Sequence, residues 1–213
     1  MSWTDLKDIS MLLAIWATIY GVDSWRREHV GKRRIELAEE TLALFYEASD
    51  TIRAVRSPGG FSSETESLVQ ESTESDLQFE ARKIASITLN RLGRHSELFN
   101  RLYSARYRFM AAFGKEKAKP FEDFHIVVTQ ISVAARMLAQ LWARPNSINS
   151  AVQDQRESSI EKYQAVIWDE GEDDAVNKRI RTIVDNIDAI CRDVILGKGT
   201  IYYWINKRLG KLK

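Results

Sequence analysis

Apolar positions recur at helical spacing along most of the chain. Leu37, Thr41, Leu44, Ala48, Ile52 and Val55 step by four, three, four, four and three, which is one helical stripe. Ser57-Pro58-Gly59-Gly60 ends it. A second long helix is expected from about Asp76 to Phe113, with Leu92, His95, Phe99, Leu102, Arg106, Phe109 and Phe113 on one face. Gly114 and the cations Lys115, Lys117 and Lys119 suit its C-terminal end. Pro120 opens a third helix at a first-turn position, with Phe124, Val128, Ile131, Ala135, Leu138 and Trp142 as its stripe, and Arg144-Pro145-Asn146 stops it. A fourth, roughly Ile148 to Trp168, presents Val152, Ile160, Tyr163 and Ile167. In the fifth, Val176, Ile180, Ile183, Ile187, Ile190 and Val194 step by four and three in strict alternation, an a/d seam. Little more than two heptads favours packing of this seam inside the chain over pairing with a second copy. The expected class is all-α: an antiparallel bundle of about five long helices.

The opening of the chain has a different pattern. Ile9 to Val22, ISMLLAIWATIYGV, carries no charge. At 1.5 Å per residue it reaches about 21 Å, short of the roughly 30 Å hydrocarbon core of a bilayer, and length alone favours a buried helix. The flanks reverse that preference. Trp3 and Trp25 bracket the run about 33 Å apart, close to the separation of two aromatic belts. Arg26, Arg27, Lys32, Arg33 and Arg34 follow, opposed only by Glu28, and the positive-inside rule puts them in the cytoplasm. Asp5 and Asp8 beside a single Lys7, with no small-residue cleavage site after the run, argue against a cleaved signal peptide. The expected anchor is therefore Trp3, Ile9, Leu12, Leu13, Ile15, Trp16, Ile19, Val22 and Trp25, a transmembrane helix continuing into a cytosolic bundle. The expected address is a bacterial inner membrane, single-pass, with the N-terminus outside.

Two further segments complete the division of the chain. Residues 58–75, PGGFSSETESLVQESTES, have no Lys or Arg and too little apolar surface to offset the entropy of ordering, so they read as a mobile, solvated loop. After Gly197-Lys198-Gly199 comes TIYYWINKRLGKLK, in which Tyr202, Tyr203 and Trp204 stand beside Lys207 and Arg208 with no acid. Aromatic residues next to cations suit a membrane interface, each cation near an anionic leaflet contributing about 1 kcal/mol; docking on the bundle is the competing reading. The expected organisation is an anchor over residues 1–25, a basic juxtamembrane segment and first bundle helix over 26–57, the loop over 58–75, the bundle over 76–197 and a basic aromatic tail over 198–213.

Composition narrows the chemistry. Ten Gly and three Pro in 213 residues leave few chain breaks. Thirty-one Lys and Arg against thirty Asp and Glu give a net charge of +1, with no general attraction to nucleic acid. Cys191 as the one cysteine excludes a disulfide framework, and its place beside the heptad seam suits a small buried hydrophobe. No phosphate-binding loop, dinucleotide turn or nucleophile elbow occurs. Glu122-x-x-His125 has the spacing of carboxylate-bridged di-iron sites, but that chemistry needs a second such pair and two more helical Glu residues. Asp169, Glu170, Glu172, Asp173 and Asp174 around Gly171 lack the alternation of a calcium loop and read as a solvated connection. No catalytic residue, cofactor, metal or small-molecule substrate is expected, and a non-enzymatic role follows.

Polar residues on apolar stripes are the remaining candidates. His95 and Arg106 fall on the second helix's stripe, and Arg136 lies amid AARMLAQLW. A buried Arg has to be paired, and Glu40, Glu47 and Asp50 on the first helix are candidate partners. The expected set is a buried polar network of Glu47, His95, Arg106 and Arg136, structural in the first instance and an anion pocket in the sharper reading.

The segments GKRRIELAEETLALFYEASDTIRAVRSP, RLYSARYRFMAAFGKEKAKPFEDF and AARMLAQLWAR resemble an uncharacterised proteobacterial family with one N-terminal span and a cytosolic helical region. The resemblance runs from about Trp3 to Gly199. It implies the anchor and the compartment and carries no activity or site residues. The expected partners are the lipid bilayer and either a second copy of the chain or another protein. The expected function is a membrane-anchored scaffold; the alternative is a membrane-perturbing effector subunit of a bacterial stress or phage-defence system.

Overall fold

In the computed structural model the backbone is described for residues 3–59, 64–66, 68–144, 148–171, 173–197 and 208. Before Glu28 the described side chains are Met11, Trp16 and Trp25. The described residues form six α-helices and no strand: α1 Trp3–Val55, α2 Asp76–Arg94, α3 Ser96–Phe113, α4 Lys119–Trp142, α5 Ser150–Ile167 and α6 Ala175–Ile195, with a 3-10 turn at Glu116–Ala118 before α4. The expected all-α class is met.

The chain divides into two compact units, residues 41–190 and a smaller one of residues 1–40 with 191–213. In the smaller unit the described positions Met11, Trp16, Trp25, Lys32, Arg33 and Arg34 are exposed, while Leu37, Ala38 and Cys191 are buried.

The larger unit is the bundle, and α4 is its centre. α4 packs chiefly on α2 and α5. Its Phe121, Phe124, Val127, Ile131, Ala134, Ala135 and Leu138 are buried, one face at the helical period. Phe45 of α1 meets Phe121 and Phe124 edge-on, with ring centres 4.9 and 5.7 Å apart, and Phe109 of α3 meets Phe121 at 5.3 Å. Edge-to-face rings of this kind add to the area they bury. At the other end of α4, Ala134, Ala135 and Leu138 join Ile167 of α5, with Trp142 and Trp168 stacked nearby.

The Glu116–Trp142 stretch is long and apolar enough to cross a membrane by length and composition, the one such helix among the described residues. The sequence places a span earlier, at Ile9–Val22. The core helix of a bundle meets the same criterion, and α4 has such a core face, although only about a third of its most apolar part is buried in the bundle.

The stripe on α1 is as expected, with Leu37, Thr41, Leu44, Ala48, Ile52 and Val55 all buried. The α6 seam packs within the chain at Ile180, Ile183 and Ile187. Three expectations change. The second helix is two helices: His95, with φ −104° and ψ 14°, closes α2 and opens α3, and its N–H bonds back to Leu92 O at 3.2 Å. Residues 58–75 are not solvated throughout, because Glu64 and Thr65 are buried. Their last residue, Ser75, forms a capping box with Gln78 that starts α2. The acidic connection 169–174 is likewise not only a solvated loop, since Asp174 is 5% exposed.

Candidate functional site

Two buried arginines organise the C-terminal end of α1. Arg56 follows the last residue of α1, four positions after Ile52, so it continues the buried stripe. It is fully buried. Its Nε donates to Val166 O at 2.8 Å, and its Nη2 donates to Ala165 O at 3.0 Å and Trp168 O at 2.6 Å. Those are carbonyls of the last turn of α5, which have no partner within their own helix. A cation there also faces the negative end of the helix dipole. Asp174 accepts from Nη1 at 3.0 Å and Nη2 at 2.6 Å, a bidentate pair, and Asn177 Oδ1 accepts from Nη1 at 2.9 Å.

Asp174 has a second task. Its Oδ1 accepts the N–H of Asn177 at 2.8 Å and thereby caps the start of α6. Burial pushes this carboxyl up, but the hydrogen bonds from Arg56 and the Asn177 N–H outweigh burial and hold it below its ordinary value of 3.8. Gly171, at φ 101°, makes the turn that lets the loop fold back, and Asn177 Nδ2 donates to Asp169 Oδ1 at 2.6 Å and to Gly171 O at 3.0 Å. One guanidinium thus joins the ends of α1, α5 and α6.

Arg91 of α2 does the same for α1 itself. It donates to Glu64 through Nε at 2.9 Å and Nη2 at 2.8 Å, to Ser57 O at 2.8 Å, to Val55 O at 3.4 Å and, through Nη2, to Gly59 O. Its side chain is 11% exposed. Both arginines have their donors matched inside the protein, which marks them as packing elements; a ligand would have to displace existing bonds.

The residues expected as a buried network lie elsewhere. Glu47, His95 and Arg136 are exposed, as are Glu40 and Asp50. Arg106 is half-buried, with its Nη2 3.9 Å from Glu122, its guanidinium 5.9 Å from the Tyr103 ring centre, and its Nε without a partner. Glu47 and Arg136 lie outside the buried faces of α1 and α4, and His95 stands at the break between α2 and α3. The structure assigns the buried role to Arg56, Asp174, Arg91 and Glu64. Arg56 and Arg91 were legible as cations in step with buried positions, Ile52 and Thr88 respectively. Their acidic partners were hidden in segments read as solvated loops.

A different arrangement fits a ligand better. A cleft of about 430 Å³ runs between α2, α3 and α4. It brings together two residues that the sequence singled out, His125 and Arg136, with Leu89, Phe99, Tyr103 and Val128. The Tyr103 and His125 rings lie 4.9 Å apart. A second cleft, about 450 Å³, lies beside Arg91, Arg94 and His95, but Glu64 shares it. Among the described residues no group of three His, Cys, Asp or Glu side chains is gathered to hold a metal ion.

Of the expected anchor, Trp16 and Trp25 are described and exposed; the side chains of Trp3, Ile9, Leu12, Leu13, Ile15, Ile19 and Val22 lie outside the described residues, as do those of Arg26 and Arg27. Of the tail contact, Arg208 is exposed, and Tyr202, Tyr203, Trp204 and Lys207 lie outside the described residues. Comparison with known protein families, curated proteins and solved structures finds no match to this chain.

Proposed function

We propose that the chain is a membrane-anchored, non-enzymatic helical module that holds a partner protein, or a second copy of itself, at the bilayer. The observation that carries this reading is the surface of the first part of α1. Met11, Trp16 and Trp25 are 65%, 65% and 67% exposed, in or beside a run without charge. Leaving a large apolar side chain in water instead of burying it forfeits about 1.5–3 kcal/mol. Lipid removes that penalty without any protein contact. The exposed cations Lys32, Arg33 and Arg34 suit the cytoplasmic side of such an anchor, with the N-terminus outside and the bundle in the bacterial cytoplasm.

Carbonate extraction of native membranes tests the anchor: the intact chain is expected in the pellet, and full-length chain in the soluble fraction without detergent overturns the proposal. Mass measurement in detergent then tests self-assembly, since a strict monomer leaves only the partner-holding version.

The exposed Trp16 supports a second reading. A Trp midway along a span, with Thr18 and Tyr20 close in sequence, suits a contact between copies, and assembled spans would perturb the bilayer as an effector of stress or phage defence. Ion leakage on overexpression, abolished by Trp16→Ala, separates it from a passive scaffold.

A further inference from the structure

We infer that the cleft between α2, α3 and α4 binds a free medium-chain fatty acid, with the carboxylate on Arg136 and the chain lying toward Tyr103 and His125. The shape comes from α4. His125, Val128, Ser132 and Arg136 step by three, four and four, so they line one groove, and eleven helical steps separate its ends by about 16 Å. The cleft volume of about 430 Å³ falls in the range of small-molecule sites, and the cleft is an open groove on the bundle surface. Phe99 and Val128 give it apolar walls between the two ends.

The charge decides the head group. None of the described residues lining the cleft is an acid, and Arg136 is its one fixed charge. Arg136 makes no ion pair and no side-chain hydrogen bond among the described residues, in contrast to Arg56 and Arg91. Ser132, one turn away, supplies a hydroxyl donor on the same face. A solvent-facing guanidinium with no acidic partner, beside a hydroxyl and at one end of a groove with apolar walls, suits a carboxylate attached to an alkyl chain. A cationic amphiphile meets like charge at Arg136.

The test is photolabelling of the purified full-length chain with a diazirine-bearing dodecanoate, followed by peptide mapping. Labelling within residues 96–142 is expected to saturate. Unlabelled dodecanoate should compete for it, and dodecanol should compete at least about tenfold less well. Arg136→Gln should weaken apparent affinity by about tenfold or more, and Arg136→Lys should restore part of it. Arg136 is exposed, so an unchanged helical circular-dichroism spectrum checks that both variants fold. Absence of saturable labelling within 96–142, labelling there that Arg136→Gln leaves unchanged, or equal competition by dodecanol overturns the inference.

Discussion

Arg56 and Arg136 sit in the same bundle and differ in everything but charge. At the end of α1, Arg56 has no exposed surface, and its five N–H groups reach three α5-end carbonyls, Asp174 and Asn177. On α4, Arg136 is exposed and has no partner among the described residues. The first guanidinium is committed to joining helix ends that would otherwise leave carbonyls buried and unmatched. The second is free to meet something that arrives from outside. The lesson is that a charged residue on an apolar stripe is not by itself a sign of function; the state of its partners decides.

The largest effect is expected where the matching is most complete. Arg56→Met leaves the buried Asp174 carboxylate without its cation and three α5-end carbonyls without the guanidinium, and should cost about 3–5 kcal/mol in urea unfolding. The double variant Arg56→Met with Asp174→Leu should recover part of that loss, because it removes the stranded charge. If the single change costs less than about 1 kcal/mol, the contrast with Arg136 fails.

Arg91→Met should cost less, about 2–3 kcal/mol, because Arg91 keeps some contact with water and its carbonyl partners at Val55 and Ala54 are long. The same unfolding measurement checks the order of the two.

A pH series sharpens the comparison further. Asp174 is held below its ordinary value in the folded state, so its charged form favours folding. That contribution is complete above the unfolded value, near 4, and is lost as pH falls below it through the folded value. The stability gap between the wild type and Asp174→Asn should therefore be constant from about pH 5 upward and narrow as the medium is acidified. A gap that widens in acid reverses the assignment.

The smallest effects belong to the exposed positions. Glu47→Gln, His95→Gln and Arg136→Gln should each change stability by less than about 0.5 kcal/mol. A loss of several kcal/mol at Arg136 would place it with Arg56 and remove the reason to seek a ligand there.

Much of the helical organisation was legible because helix formation is local. The six α1 stripe positions, the α6 seam and the buried Cys191 follow from spacing alone, since residues three and four apart share a face wherever that face points. The break at His95 was less legible: the apolar stripe continues across it, and one residue leaving helical geometry does not interrupt a periodic pattern of side chains. The polar sites were misplaced for a related reason. Arg106 and Arg136 interrupt apolar runs in sequence, which draws the eye, whereas Arg56 stands at a helix end beside Ser57-Pro58-Gly59.

What the amino-acid order determined by itself is therefore the periodic part: an all-helical chain, its stripes and its uncharged opening run, each a property of neighbours within a turn or two. Tertiary structure decided which cations are buried. Arg56 and Asp174 are 118 positions apart, and Arg91 and Glu64 are 27 apart. Their pairing depends on where separate helices end in space, and a spacing rule that spans one or two turns carries no record of it.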